Sequence, residues 1–490
     1  MKIFSTILAL AGVFCLLSSL LLLILPFDVN TLQNVLTSDG SFDSLIQYAA
    51  SGLTGGFALA GCILLLLALL LYLLAVNKLK IHRLSSIQIL SIVIAFQFIA
   101  GLIYVINITY IPHEDYQWYH LQATHLSEGA AITDLFGSPT AYWPIGYPLF
   151  LSVFYKLFGA EIGTAQIVGV VIAIFSSVVA LLLYRKFLPK DAAFKSLIVF
   201  ALIPSGIFYA SLPQSDSFFG LLISLIALLS LGSASWFNTI ILGIVFGYAA
   251  LTRPVILFFP LFIAAYRYLR DKNLRQALIH LIIIFVLGEL ILLPWQIRNY
   301  QIFDDFVLSS TNGGKQVWMG NNHHASGGYL PDRSFMSYDE YEQYHALSET
   351  KRDSYAFEKG VSWIIENPTK FVLLWPKKFM HLYYKDSKCI TYTLHEGYES
   401  YPPFIIMGLI ISTEGFYYSL GLVFILALIR LFRQRLFDLN LWIVLALIVY
   451  FTAVYLPFVA DGRYHLPLMP FFVLFIFAAF SDSREKSRQL

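Results

Sequence analysis

Twelve predominantly apolar runs, most of them long enough to cross a bilayer as a helix, recur from one end of this chain to the other. They lie near residues 4–26, 53–76, 88–111, 162–184, 195–210, 216–232, 236–252, 254–269, 277–297, 403–430, 440–458 and 465–480. A spanning helix needs roughly 20 such residues to cross about 30 Å of hydrocarbon. Inside that layer every backbone N–H and C=O must find its partner within the segment, which leaves helices as the natural solution for single apolar runs. Only 13% of the 490 residues are charged and 58% are hydrophobic, which excludes one or two ordinary soluble domains. The expected fold class is an all-α polytopic membrane protein with about 12 transmembrane helices, exterior interfacial helices and a small exterior domain. The first run is longer than a signal-peptide core and no small-x-small cleavage site follows it, so it reads as an uncleaved span.

The loops between the runs divide by charge. "NKLKIHR" at 77–83, "RKFLPKDAAFK" at 185–195, "RYLRDKNLR" at 267–275, "RLFRQR" at 430–435 and the tail "SREKSRQL" alternate with loops 27–52 and 112–143, which carry acids and no Lys or Arg. Retained loops are enriched in positive charge. This predicts a membrane protein with both termini cytoplasmic and the acidic loops exterior or periplasmic; the bacterial plasma (inner) membrane is what the family resemblance given below implies. The net charge of +2 offers no basic stripe for nucleic acid, so none is expected as a partner. Of three cysteines, Cys15 and Cys62 lie in apolar runs and Cys389 in a polar segment, with no metal-type spacing.

Four regions follow from this pattern. Residues 1–87 hold two N-terminal spans of unassigned role, and 88–297 form a transmembrane core with its first exterior loop at 112–160. Residues 298–402 form the one large polar segment, and 403–490 bring three more spans and the tail. The polar segment opens with "SSTNGGKQVWMGNNHHASGGYLP", whose Gly and Asn clusters predict irregular structure. Tyr-rich helical sequence follows around 338–366. "ENPTKFVLLWPKKFMHLYY" then suits a helix lying at the membrane interface.

Chemistry is concentrated where "HEDYQWYHLQATHLSEG" begins at His113, directly after an apolar run. Glu114 and Asp115 stand there side by side. A solvated helix end would explain two acids, but Tyr116, Trp118, Tyr119 and His120 follow. The segment "GSPTAYWPIGYPLFLSVFYKLFG" at 137–159 adds an exterior turn and a short apolar helix, a wall beside the acids. His113 and His120 read first as interfacial, hydrogen-bonded histidines.

The order of these motifs resembles the first exterior loop of GT-C class glycosyltransferases, in particular the bacterial branch related to protein mannosyltransferases and lipid A aminoarabinose transferases. The resemblance continues in "GIVFGYAALTRP" at 243–254, "LPWQIRNYQIFDDFVLSSTNGG" at 293–314, "WMGNNHHASGGY" at 318–329 and "DGRYHLPLMPF" at 461–471, and it covers most of the chain from about residue 88. It implies an inverting glycosyltransferase that moves a hexosyl or pentosyl group from a polyprenyl-phosphate donor to a lipid-linked, glycan or protein acceptor. The catalytic acid falls on Asp115, with Glu114 able to share or replace it. Where family members often carry a second acid, this chain has Trp118.

A sugar on polyprenyl phosphate leaves behind a phosphate monoester, so no general acid is needed, and one base that takes the acceptor's proton suffices. The departing phosphate needs cations. Arg253, Arg298 and Arg463 all fall at exterior ends of spans, where the charge bias makes Arg scarce, and Arg holds phosphate oxygens bidentately. Snorkelling to lipid headgroups is the plain alternative for each. Lys315, Lys377 and Lys378 are weaker candidates of the same kind. Tyr119, Tyr142, Tyr147, Asn321, Asn322, His323 and Tyr464 are the expected substrate contacts, with His324 beside them. "STNGGKQVWMGNN" lacks phosphate-loop spacing. No cofactor and no metal ligand set is called for, although Asp115, Glu114 and the nearby histidines have the chemistry to hold a divalent ion. The competing class, a transporter or flippase of a lipid-linked sugar, would place ionisable residues near the bilayer midplane. Glu289, Asp216 and Glu414 are the nearest examples.

Overall fold

A computed structural model of the chain describes residues 1–24, 53–76, 84–108, 110–394 and 401–481. The acidic loop 27–52, the basic loop 77–83 and the tail 483–490 used above for orientation lie outside the described residues. Among the described residues all regular structure is helical. The protein is an all-α polytopic membrane protein.

Among the described residues seven segments are long and apolar enough to cross a membrane: Lys2–Leu21, Leu53–Ala75, Ser86–Asn107, Ile162–Phe187, Leu274–Phe303, Pro403–Arg433 and Gly462–Phe480. An eighth is made of Lys190–Ala201 and Pro204–Ala210, bent by 57° at the break between them. The break falls where Pro204, which has no N–H to give to the preceding turn, opens the second helix. Ser215–Ser230, Trp236–Thr252 and Leu439–Ala453 are shorter apolar helices. The run at 254–269 departs furthest from expectation. Pro254 starts a short 3-10 turn, and the helix proper is Phe259–Asp271, 13 residues long. At 1.5 Å per residue it reaches only about 20 Å. Among the described residues length and composition therefore support seven or eight spans, and the count of twelve is not confirmed.

Between helices in lipid there is little hydrophobic drive, and close approach of small residues takes its place. A Cβ on Gly169 would fall 1.9 Å from the carbonyl oxygen of Ala210, so only glycine lets Ile162–Phe187 meet Pro204–Ala210. The first two spans pack on each other and on Pro403–Arg433, where Phe4 meets Phe416 edge-on at 5.3 Å.

The polar segment is more helical than its composition suggests. Within the stretch expected to be irregular, Gly313–Gly320 is a helix that buries Val317, Trp318 and Met319. Its glycines serve packing: a Cβ on Gly314 would lie 1.9 Å from the backbone oxygen of Asp353. Trp318, Met319, Phe335, Met336, Tyr344, Ala356 and Val459 form a small second core. The helix Pro368–Tyr383 buries Leu374, Lys378 and Leu382 while exposing Val372, Leu373, Trp375, Phe379 and Met380, the amphipathic distribution expected of an interfacial helix.

Candidate active site

Asp115 sits in the first turn of the helix Glu114–Glu128, which follows the apolar Ser86–Asn107 after a short extended link. The backbone N–H groups at a helix start favour negative charge. Glu114 itself has φ 49°, a left-handed conformation uncommon for any residue but glycine, and its side chain is exposed. The neighbouring Asp115 is turned the other way, into the protein. Its Oδ2 accepts a hydrogen bond from Arg463 Nη2 at 2.5 Å, while Arg463 Nη1 reaches the hydroxyl of the buried Tyr116 at 3.5 Å.

Arg253 arrives from the end of Trp236–Thr252. The interfacial helix Gly146–Phe158 starts against that end because Gly146 has no side chain: a Cβ there would lie 2.5 Å from Thr252 Oγ1. Arg253 Nη2 pairs with buried Asp216 at 2.6 Å, and its Nε donates to Ser215 Oγ at 3.2 Å. The Tyr464 ring is shared by both arginines, with Arg253 Cζ 5.2 Å and Arg463 Cζ 5.7 Å from its centroid, and it stacks on Tyr455 at 4.6 Å. Tyr119 joins from the loop helix through a 3.1 Å hydrogen bond between its hydroxyl and Ser215 Oγ, and packs edge-on against Tyr147.

Asp461 completes the cluster. It accepts the backbone N–H of Arg463 at 3.0 Å and the ammonium of Lys388 at 2.6 Å. Burial alone would raise its pKa, but Lys388 and Arg463 outweigh burial and hold the carboxyl well below the ordinary carboxylate range. Three carboxylate–cation pairs, Asp115–Arg463, Asp216–Arg253 and Asp461–Lys388, are thus gathered at one end of the helix bundle. Buried ion pairs are costly to desolvate and poor as stabilisers. Their concentration here marks a site where charge is handled.

The remaining expected residues lie elsewhere or do other work. Arg298 gives its guanidinium to the carbonyls of Thr140 and Ile132, each at 2.8 Å, and to Asn299 Oδ1. Glu349 holds the same loop from the other side, accepting from Thr140 Oγ1, the Ala141 N–H and Thr311 Oγ1, all at 2.7 Å. Together they pin the "PTAYW" turn. Tyr142, beside Trp143 in that turn, has its hydroxyl pKa raised, first by burial and then by Tyr344 and Asp115. Asn321 and Asn322 are buried and hydrogen-bonded to backbone carbonyls, and Asn321 Oδ1 also accepts from Lys378. Lys315 pairs with Asp332 at 2.9 Å. His323, His324 and Lys377 are exposed, and His323 packs edge-on against Trp363. His113 Nδ1 lies 3.1 Å from the carbonyl of Ile111, and His120 Nδ1 2.6 Å from the Tyr155 hydroxyl. Among the described residues no three His, Cys, Asp or Glu side chains converge as metal ligands.

Sequence reasoning missed Ser215, Lys388, Tyr455 and Asp461, and it weighed Asp216 only as an acid for the transporter reading. Only Asp461 carried a signal, as an acid in the same short motif as Arg463. Of the acids a transporter would need, Glu289 is exposed on the outside of its helix and Asp216 is paired with Arg253. Glu414 accepts two backbone N–H groups.

A mainly apolar cleft lies within the bundle. Its walls include Ala173, Phe200, Ile203, Ile207 and Leu466, and Asp216, Ser217, Ser224, Ser176 and Gln97 are its polar lining.

No family model matches the sequence, and no curated protein does. Among solved structures the chain is similar in fold to ArnT from Cupriavidus metallidurans bound to undecaprenyl phosphate, at 13% identity over 80% of this chain and 77% of that one, TM-score 0.42. The apo state of the same protein gives 12% identity, coverage of 79% and 76%, and TM-score 0.39. The archaeal oligosaccharyltransferase AglB from Archaeoglobus fulgidus, in complex with an inhibitory peptide and a dolichol-phosphate, gives 13% identity, coverage of 79% and 56%, and TM-score 0.33. What the site does has to be read from its own residues.

Proposed function

We propose that this protein is an inverting glycosyltransferase that moves a sugar from a polyprenyl-phosphate donor to an acceptor hydroxyl or amine at the outer face of a bacterial plasma membrane. The observation that carries the reading is the arrangement at Asp115: a carboxylate 2.5 Å from Arg463, a second arginine across the shared Tyr464 ring, and a mainly apolar cleft lined in part by Asp216, the partner of that second arginine. Such a site suits a ligand with a long apolar tail and an anionic head. The prenyl chain takes the cleft, and the phosphate lies against Arg463 and Arg253.

In the reaction the acceptor oxygen or nitrogen attacks the anomeric carbon as the carbon–oxygen bond to phosphate breaks. The electron pair goes to the phosphate oxygen, where the two guanidinium groups stabilise the growing charge. Asp115 takes the acceptor's proton. One displacement inverts the anomeric centre. A positioned base contributes about 10²- to 10⁴-fold, or roughly 3 to 5 kcal/mol at 1.36 kcal/mol per decade. The carboxylate stands at the helix end because the donor's phosphate is held at headgroup depth by its tail, and the base must wait at that depth.

The test is transfer from a panel of polyprenyl-phosphate sugars by the purified protein in lipid. Turnover of one donor that Arg463→Ala abolishes while the protein stays folded supports the reading. No turnover with any donor, together with movement of the lipid-linked sugar across the bilayer, would replace it with the transporter reading.

A further inference from the structure

The turn between Pro368–Tyr383 and the short helix Lys388–Thr393 is fixed from three directions. Glu414, reaching from the span Pro403–Arg433, accepts the backbone N–H of Asp386 at 3.0 Å and of Ser387 at 2.9 Å. His465, fully buried, lies with Nε2 3.1 Å from Asp386 Oδ1 and Nδ1 2.8 Å from the Leu382 carbonyl. Gly462 presses so close that a Cβ there would lie 2.5 Å from the carbonyl oxygen of Lys385. Burying a carboxylate, an imidazole and a second carboxylate around one turn is expensive, and the turn so held carries two lysines, Lys385 and Lys388, next to Asp461 and Gly462.

Lys388 pairs with Asp461 at 2.6 Å. Lys385 is half-buried, within electrostatic reach of Lys388, Glu414 and Asp461, and forms no ion pair or hydrogen bond among the described residues. The other cations of the cluster are each matched by a carboxylate: Arg463 by Asp115, Arg253 by Asp216 and Lys388 by Asp461. Glu414 is already engaged by the two backbone N–H groups. Among the described residues Lys385 is the ammonium of this cluster with no carboxylate hydrogen-bonded to it, and it stands on a rigid mount beside the site. A polyprenyl-phosphate sugar is a phosphodiester and brings one negative charge.

We propose that Lys385 is the donor-phosphate lysine of this site, taking a non-bridging phosphate oxygen that the carboxylate-bound arginines cannot hold alone. This rests on the glycosyl-transfer reading above and deepens it. A group mounted on a braced turn keeps its geometry without the substrate, which is the requirement for a preorganised anion site. Once the sugar has left, the phosphate monoester carries more charge than the diester did, so the same ammonium also holds the leaving group.

The experiment uses the full-length protein in lipid nanodiscs and compares binding of a polyprenyl monophosphate with that of the matching polyprenol. Wild type is expected to prefer the phosphate. Lys385→Met should lose about 10-fold or more of phosphate affinity, roughly 1.4 kcal/mol, with polyprenol binding unchanged and the thermal midpoint kept. Lys385→Arg should restore most of the loss. In turnover kcat should fall as well as KM rise, because the ammonium meets more charge on the leaving phosphate than on the donor. Should Lys385→Met fail to fold, Lys385→Gln takes its place with the same expectation. If wild type shows no preference for the phosphate, the glycosyl-transfer reading itself falls. If wild type prefers it and the neutral variants bind within twofold of wild type, the assignment of Lys385 alone is overturned.

Discussion

Arg463 and Asp115 meet at 2.5 Å, so the carboxylate that would serve as base is held by the cation that would serve the phosphate. The two cannot be fully engaged with each other and with substrate at once. A donor phosphate competing for the guanidinium frees the carboxylate, which couples base release to donor binding. Arg463→Ala is then expected to lower kcat/KM by about 10²- to 10³-fold, the usual effect of removing one charge-stabilising donor. Arg463→Lys should recover only part, because an ammonium lacks the planar fork. Steady-state kinetics on the three proteins decides it; equal kcat/KM for wild type and Arg463→Ala would sink the role.

Arg298 should behave differently. Its hydrogen bonds hold the carbonyls of Ile132 and Thr140, and Glu349 holds the same loop from the other side. Arg298→Ala and Glu349→Ala are expected to destabilise by roughly 1–3 kcal/mol, the range for buried groups left without partners. Polyprenyl-phosphate affinity should stay close to wild type in both. A selective loss of that affinity in Arg298→Ala, with stability intact, would return Arg298 to the phosphate site.

That contrast shows what the sequence could and could not reveal. The positive-inside bias located Arg253, Arg298 and Arg463 as exceptions at one end of the bundle, and it did so from spacing alone. Two of them share the Tyr464 ring, while the third braces a turn, and nothing in a linear charge pattern separates those jobs. Asp216 and Asp461 escaped as members of the site because an acid at a span end looks solvated until its partner is known. The span map departs from the helices where prolines intervene. Pro204 and Pro254 turn apolar runs into bent or short helices, which hydropathy cannot register. The Gly313–Gly314 pair reads as a turn, yet Gly314 is a packing surface for Asp353, a relation set by tertiary contact.

Glu414 supplies a test of the braced turn. Glu414→Ala leaves the Asp386 and Ser387 N–H groups buried without an acceptor, at about 1–3 kcal/mol each. Glu414→Gln keeps a carbonyl oxygen in place and should cost much less. Thermal unfolding in detergent compares the three, and equal midpoints for Ala and Gln would show that the carboxylate does not hold the turn.

Lys378 provides a pH dependence. It is buried, donates to Asn321 Oδ1 at 2.8 Å and to the Leu456 carbonyl at 2.7 Å, and has no carboxylate partner among the described residues. Burial lowers its pKa from 10.5 to about 7. A neutral amine has the two N–H groups these bonds need. Between the lowered value and the ordinary one the unfolded chain binds a proton that the folded chain does not. Stability therefore rises with pH across that window and flattens below it, with a slope of at most about 1.36 kcal/mol per pH unit. Unfolding midpoints from pH 7 to 10 should climb for wild type relative to Lys378→Met. Parallel curves would contradict the neutral lysine.

The most direct measurement is sugar transfer from the donor that wild type uses, with Asp115→Asn beside it in the same lipid. Asp115→Asn should fold, bind the polyprenyl phosphate and lose about 10²- to 10⁴-fold in kcat, while Glu114→Gln keeps most of the rate. An Asp115→Asn protein that turns over at the wild-type rate would contradict the assignment of the base and, with it, the site described here.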